Sequence, residues 1–168
     1  MQTLNLPAAD LRIRNNLGKQ EVFDTTRKKF VVLTPEEWVR QHFIHYLTGD
    51  RKVPHSLIAV EATLHYHRLK KRCDILVYGR DGAPCLIIEC KSPEVPVTQA
   101  VFDQAAMYNK ELKVPYMAVT NGIVHFACHI DHTSGKIIFL KEIPSYDELG
   151  INRNVNSLTP GPSPKWEG

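Results

Sequence analysis

The order of periodic segments predicts an α/β (α+β) domain, a sandwich around one sheet. Three observations carry this. A helix with a strong start signal, "TPEEWVRQHFIHYLTG", precedes three apolar strand-like runs. A second helix, "TQAVFDQAAMYNKEL", follows the proline-punctuated link "SPEVPV". Two or three more strand-like segments, "YMAVT", "IVHFACHI" and "KIIFLKEI", come after it. With 168 residues the chain is long enough for one domain with a real core.

Taken in order, residues 1–33 read as an N-terminal arm with short extended pieces, "LRIRNN" and "KKFVVL". The first helix starts at Thr34, an N-cap candidate, with Pro35 at the first helical position and Glu37 three residues on. It stops near Gly49. The strands "SLIAVEATLHY", "RCDILVYG" and "PCLIIECK" follow, the last two joined by Asp81-Gly82, a two-residue type I′ turn signal. Asn121-Gly122 marks a second turn. Residues 34–148 thus form the domain proper. The tail, 149–168, is rich in Pro, Gly, Ser and Asn and predicts disorder.

Composition narrows the functional classes. No apolar run approaches the roughly 20 residues of a membrane span, and the N-terminus lacks a basic region followed by an apolar segment. Cys73, Cys85, Cys90 and Cys128 sit in strand-like segments without a CxxC pair, as reduced core thiols do. A cytoplasmic protein that does not enter a membrane is expected. The net charge of +3 permits nucleic-acid binding without arguing for it. The histidines, including His65, His67, His129 and His132, show no zinc spacing, with or without Cys128.

The chemistry concentrates in one hairpin. With Asp81 and Gly82 as its loop, Asp74 faces Glu89 and their Cβ atoms lie about 5 Å apart. Lys91, two residues past Glu89, points to the same face. Buried strands rarely carry unpaired charge, because desolvating a carboxylate costs several kcal/mol. Two carboxylates this close repel, and a divalent cation between them removes the repulsion. Mg²⁺ fits best, being a hard ion that takes only one or two protein carboxylates. A solvated face on which Lys91 screens two exposed acids is the plainer alternative. On the second helix Val101, Ala105, Tyr108 and Leu112 form an apolar stripe, and Gln104 falls within it one turn before Tyr108. A core glutamine satisfied by backbone is the plainer reading there.

Asp74, then Glu89-Cys90-Lys91, then Gln104-x-x-x-Tyr108 resemble the PD-(D/E)XK nuclease superfamily, in its branch with a trailing Q-x-x-x-Y helix motif. More closely, "LTPEEWVRQ", "RCDILVY", "LIIECKSP", "QAAMYN" and "AVTNG" look like the N-terminal nuclease domain of type I restriction enzyme R subunits, over roughly residues 20–145. The resemblance implies a restriction-endonuclease-like core, a mixed central sheet flanked by helices. It implies a Mg²⁺-dependent DNA endonuclease in which Mn²⁺ substitutes. Asp74 and Glu89 are then metal ligands, and Lys91 acts on the attacking water and the phosphorane charge. Gln104 and Tyr108 support the site and contact DNA. By the hairpin register Arg72 should face Lys91, like charges that a DNA phosphate, or Asp74 or Glu89, would relieve. An acid on the first helix completes the metal shell in related nucleases. Glu37 or Glu36 matches by position, although Thr34-x-x-Glu37 is also a capping box. Glu61, in "AVEATL", is an alternative third acid.

Two features depart from the family pattern. Cys73 replaces the proline of the superfamily's name. No G-x-x-x-x-G-K-[ST] phosphate loop is present, so a free-standing domain is expected in place of a complete motor-bearing R subunit. The implied partners are DNA and, beyond it, a second copy or other restriction-modification subunits. A non-catalytic nucleic-acid-binding or accessory module that has kept the fold is the alternative function. The basic residues Arg27–Lys29, Arg68, Lys70, Lys71 and Arg72 read as phosphate contacts or as solvated surface.

Overall fold

A computed structural model describes residues 1–66, 69–151 and 159–166. Helix α1 spans Pro35–Gly49, and its N-cap Thr34 accepts the Glu37 N–H at 3.1 Å, as the capping signal requires. Its Val39, Phe43, Ile44 and Leu47 are all buried and pack on the sheet through Ile75, Val77, Leu86 and Ile88. Helix α2, Gln99–Leu112, is capped by Thr98 and ends at Lys113, which adopts the left-handed conformation (φ 56°). The buried Asn109 side chain accepts from Val114 N–H at 3.0 Å and donates to its carbonyl at 2.8 Å, fixing the turn out of α2. Val101, Phe102, Ala105, Ala106 and Leu112 of α2 cover the opposite face of the sheet, over Leu76, Ile87, Met117 and Val119.

That sheet contains six strands in the order β4-β5-β6-β7-β8-β9. They are β4 (Ile58–Tyr66), β5 (Leu69–Tyr78), β6 (Pro84–Cys90), β7 (Tyr116–Thr120), β8 (His125–Ile130) and β9 (Ile137–Leu140). Only the β6–β7 pair is parallel, because α2 returns the chain to the same end of the sheet. The architecture is therefore a mixed sheet flanked by helices, the class that the segment order predicts.

Three parts differ from the sequence-based expectation. The arm is a three-stranded antiparallel sheet of β1 (Ile13–Asn16), β2 (Lys19–Asp24) and β3 (Lys29–Val32). Strand β2, "KQEVFD", escaped notice because it buries only Val22 and Asp24 and otherwise reads as polar. Its signal was the Leu17-Gly18 turn, with φ of 49° and 80°, which opposes Asn16 to Lys19 across a two-residue loop. In the tail, α3 runs from Tyr146 to Ile151, past the expected boundary at 148. Residues 159–166, where composition predicts disorder, add a bridge between Leu140 and Pro160 and place Trp166 against Phe102 and Phe126, with ring centroids 5.5 and 4.7 Å away.

The β5–β6 turn is the third difference. It is one residue longer than a type I′ hairpin: Gly79 N–H bonds to Ala83 O at 2.8 Å, and Gly82 N–H to Gly79 O at 3.0 Å. Only Gly82 has positive φ, 76°. A bulge then compensates. Tyr78 pairs with Pro84 but Val77 pairs with Leu86, leaving Cys85 as the extra residue. From Val77 onwards the register is the one a two-residue loop would give.

Candidate active site

The compensated register runs to Ile75 opposite Ile88, which places Asp74 and Glu89 next in line. Here the strands part. Asp74 Oδ2 accepts the Cys90 N–H at 2.7 Å, taking the position of a ladder bond. Strand β6 continues along β7 instead, with Lys91 N–H bonded to Thr120 O at 2.8 Å. Strand β5 is irregular at the same point. Cys73 packs on the α2 side with Leu76, whereas Ile75 and Val77 pack on the α1 side, so alternation breaks at Asp74. Across from it, β4 pairs through Val60 and Ala62, and the intervening Glu61 adopts φ 51°. A left-handed non-glycine residue costs of order 1–3 kcal/mol, strain that accumulates at functional sites.

Asp74, Glu89, Lys91 and Glu36 of α1 form one electrostatic group. Lys91 Nζ donates to Glu89 Oε1 at 2.9 Å. Burial, and after it the negative charge of Glu89, pushes the Asp74 carboxyl above the usual range, against the Cys90 N–H and Arg40. Burial and the charge of Asp74 likewise push Glu36 up, with Glu89 adding to the effect and Arg40 and Lys91 opposing it. For Lys91 burial works to lower the pKa, but the hydrogen bond and charge of Glu89 more than offset it, so the ammonium titrates above an ordinary lysine. Asp74, Glu89 and Lys91 are each about a fifth to a quarter exposed in their side chains. A cavity of about 690 Å³, lined by Arg80, Cys85, Tyr116 and His129 among others, opens at the far end of the strands.

Glu37 points elsewhere. It is buried and accepts from Arg27 and Gln41 at 2.6 and 2.8 Å, and from Arg40. Arg27 also bonds Asp24 and Glu61 at 2.6 and 2.8 Å, and Gln41 bonds Asp24 at 2.8 Å. Arg40 extends the network to Glu36 at 2.9 Å and Asp74 at 3.0 Å. A continuous ionic network thus runs from the β2–β3 turn through α1 to the hairpin. Of the α1 acids, Glu36 shares the field of Asp74 and Glu89, while Glu37 ties the arm to the domain. Sequence reasoning missed Arg40, whose signal was its i,i+3 and i,i+4 spacing from Glu37 and Glu36.

The other candidates are dispersed. Arg72, expected to face Lys91, pairs with Glu61 and projects from the β4 side. Gln104 is exposed on the flank of the apolar stripe, which corrects its reading as a residue embedded there: the buried positions on that side of α2 are Phe102 and Asn109. No hydrogen bond joins it to Asp74, Glu89 or Lys91 among the described residues. Tyr108 is half-buried. His67 and Arg68 lie outside the described residues.

The donor set fits a hard divalent cation. Asp74 and Glu89 supply oxygen donors of the kind Mg²⁺ takes from a protein, and burial followed by the charge of Glu89 disfavours the ionised Asp74 while no ion is there. Among the described residues no three His, Cys, Asp or Glu side chains form a group that could enclose an ion by themselves.

Fold and side chains together define a class, mixed-sheet domains with an acid–x–lysine strand end. The same fold occurs in a fragment of a protein described as an HsdR subunit of a type I restriction enzyme from Vibrio vulnificus YJ016, with a TM-score of 0.51 and 25% sequence identity. The match covers 70% of this chain and 24% of that one, so this chain corresponds to about a quarter of that fragment. The pattern described as "Type I restriction enzyme R protein N terminus (HSDR_N)" matches residues 35–144, and the chain belongs to that family. No curated protein matches it. Among the described residues no helix is long and apolar enough to cross a membrane.

Proposed function

We propose that the chain is a Mg²⁺-dependent DNA endonuclease domain that acts with restriction-modification partners. The single observation that carries this is the coupled group of Asp74, Glu89 and Lys91 at the parted ends of β5 and β6, with Glu36 facing it. Asp74 and Glu89 would hold the ion, with Glu36 within the same field. When bound, the ion polarises the phosphate and lowers the pKa of a coordinated water. Lys91, held by Glu89, keeps its proton at neutral pH. It therefore serves as a fixed cation that orients the water and offsets charge growing on the phosphorane, in preference to acting as a base. Gln104 and Tyr108 are proposed to contact the DNA backbone from α2, Gln104 being exposed enough to do so.

One observation favours the alternative of a non-catalytic module that has kept the fold: Arg40 already neutralises Asp74 and Glu36 without a metal. A nicking assay on supercoiled plasmid separates the two. Nicking with Mg²⁺ that stops in EDTA and in Lys91→Ala supports the nuclease. DNA binding without nicking, with Mn²⁺ as well as Mg²⁺, supports the module.

A further inference from the structure

We propose that the outer face of the β1–β2–β3 sheet is a docking surface for the DNA backbone, separate from the acidic group. The inference deepens the DNA-directed reading above and rests on it only for the choice of polyanion. Residues 1–33 contain six Lys or Arg and three Asp or Glu, against 21 and 18 in the whole chain. The other residues carry fifteen of each, so the entire +3 excess lies in this segment.

The sheet sorts that charge by face. Val22 and Asp24 are fully buried on the inner face. Alternation puts Arg14, Lys19, Glu21, Phe23 and Phe30 on the other, and Lys28 follows in the β2–β3 turn. Phe23 and Phe30 meet edge to face at 5.2 Å, and two guanidiniums lie over them: Arg14 at 3.7 Å from the Phe30 centroid, Arg12 at 5.2 Å from the same ring. Stacking holds a guanidinium by its plane and leaves N–H groups at its edge free for phosphate. Glu21 takes Arg14 through both Nε at 2.7 Å and Nη2 at 2.6 Å, which offsets that charge and leaves Arg14 only its remaining N–H groups for phosphate. Lys19, at the start of β2, and Lys28, in the turn that follows its far end, are both exposed. That strand is about 17 Å long, a length over which duplex DNA presents about ten phosphates. At the tip, Leu17 is 99% exposed. The buried network of Arg27 with Asp24 and Glu37 fixes the sheet to α1, so a duplex held here is held at a set distance from Asp74.

The test is fluorescence anisotropy of a labelled DNA duplex in EDTA, so that binding is read without cleavage. The chain is compared with Arg12→Gln/Arg14→Gln and with Lys19→Glu/Lys28→Glu, which leaves the arginine–phenylalanine stack intact. Thermal melts check that each variant is folded. Expected is a loss of affinity of at least tenfold in the charge-reversed variant, with a shallower dependence of log Kd on log salt in both. Wild-type affinity and salt slope in folded variants would overturn the proposal, as would absence of duplex binding by the wild-type chain. Retained binding by a wild-type chain that cleaves nothing defeats only the nuclease reading. Cleavage by wild type with unchanged binding in the variants defeats only this one.

Discussion

Arg40 Nη2 lies 3.0 Å from Asp74 Oδ1, so a fixed guanidinium sits against the carboxylate that also caps Cys90. The same Arg40 nitrogen is 2.9 Å from Glu36, and Glu37 takes the other arm of the fork. Arg40 is only 5% exposed, so deleting it strands several partly buried acids. Removing one partner of a buried pair typically costs about 3–5 kcal/mol. For a chain of this size that is roughly 6–20 °C in Tm. Arg40→Gln should therefore melt well below wild type. Millimolar Mg²⁺ or Mn²⁺ should restore more of its Tm than it adds to wild type, because an ion that binds only the folded state replaces the lost positive charge. Equal increments would place the ion away from Asp74.

The two acids of α1 should behave in opposite ways. Glu36 is half-exposed and its ionised form is disfavoured by partial burial and then by Asp74, so Glu36→Gln is expected to leave Tm unchanged or slightly raised while weakening Mg²⁺ binding and nicking. Glu37 is buried beneath two arginines and Gln41, so Glu37→Gln should lower Tm by several degrees. Parallel melts and calorimetric Mg²⁺ titrations check this. Loss of metal binding in Glu37→Gln at intact stability would reverse the assignment.

Lys91→Ala is expected to reduce nicking by at least 100-fold, the usual effect of removing one preorganised group that stabilises transition-state charge. Tm should move by a few degrees at most, since the side chain is a quarter exposed and, among the described residues, its hydrogen bond goes to Glu89. Activity within a few-fold of wild type, in protein free of contaminating nuclease, would take Lys91 out of the mechanism.

Much of this geometry was legible in the chain. Thr34-Pro35-x-Glu37 marked the start of α1, because a cap is a local property of four residues. The register leading to Asp74 and Glu89 was also readable, though for an incomplete reason: the longer turn and the Cys85 bulge are two one-residue departures that cancel, and the pairing itself ends at Ile75 and Ile88. The assignment of Gln104 to a buried stripe failed because a 3.6-residue period leaves flanking positions ambiguous by one residue. Its neighbour Ala105 turns inward and Gln104 does not. Arg27, Arg40 and Asp24 were invisible as a set because their partners lie on three separate elements. Pairing of that kind is decided by tertiary packing.

Gln104→Ala should not change Tm measurably, since surface substitutions usually fall within about 0.5 kcal/mol. That expectation frees the variant to report on DNA. If Gln104 contacts the backbone, duplex affinity or nicking should drop several-fold at constant stability. Wild-type values for both would leave it as a solvated helix residue.

The raised pKa of Asp74 and Glu36 makes a signed forecast for pH. A carboxyl whose folded pKa lies above its unfolded value contributes stability that is full below the unfolded pKa and is lost as pH rises through the folded one. In EDTA, therefore, the double variant Asp74→Asn/Glu36→Gln should gain on wild type as pH rises from about 4 towards 7, across the carboxylate range. Mg²⁺ inverts the sign, because an ion that binds the carboxylates competes with their protons. The Tm increment from Mg²⁺ should accordingly be small in acid, grow as pH passes the raised values and then level off. It should nearly vanish in Asp74→Asn at every pH. Melts in EDTA and in excess Mg²⁺ over that range check both signs. An increment independent of pH, or equally large in Asp74→Asn, would show that the ion binds elsewhere on the protein.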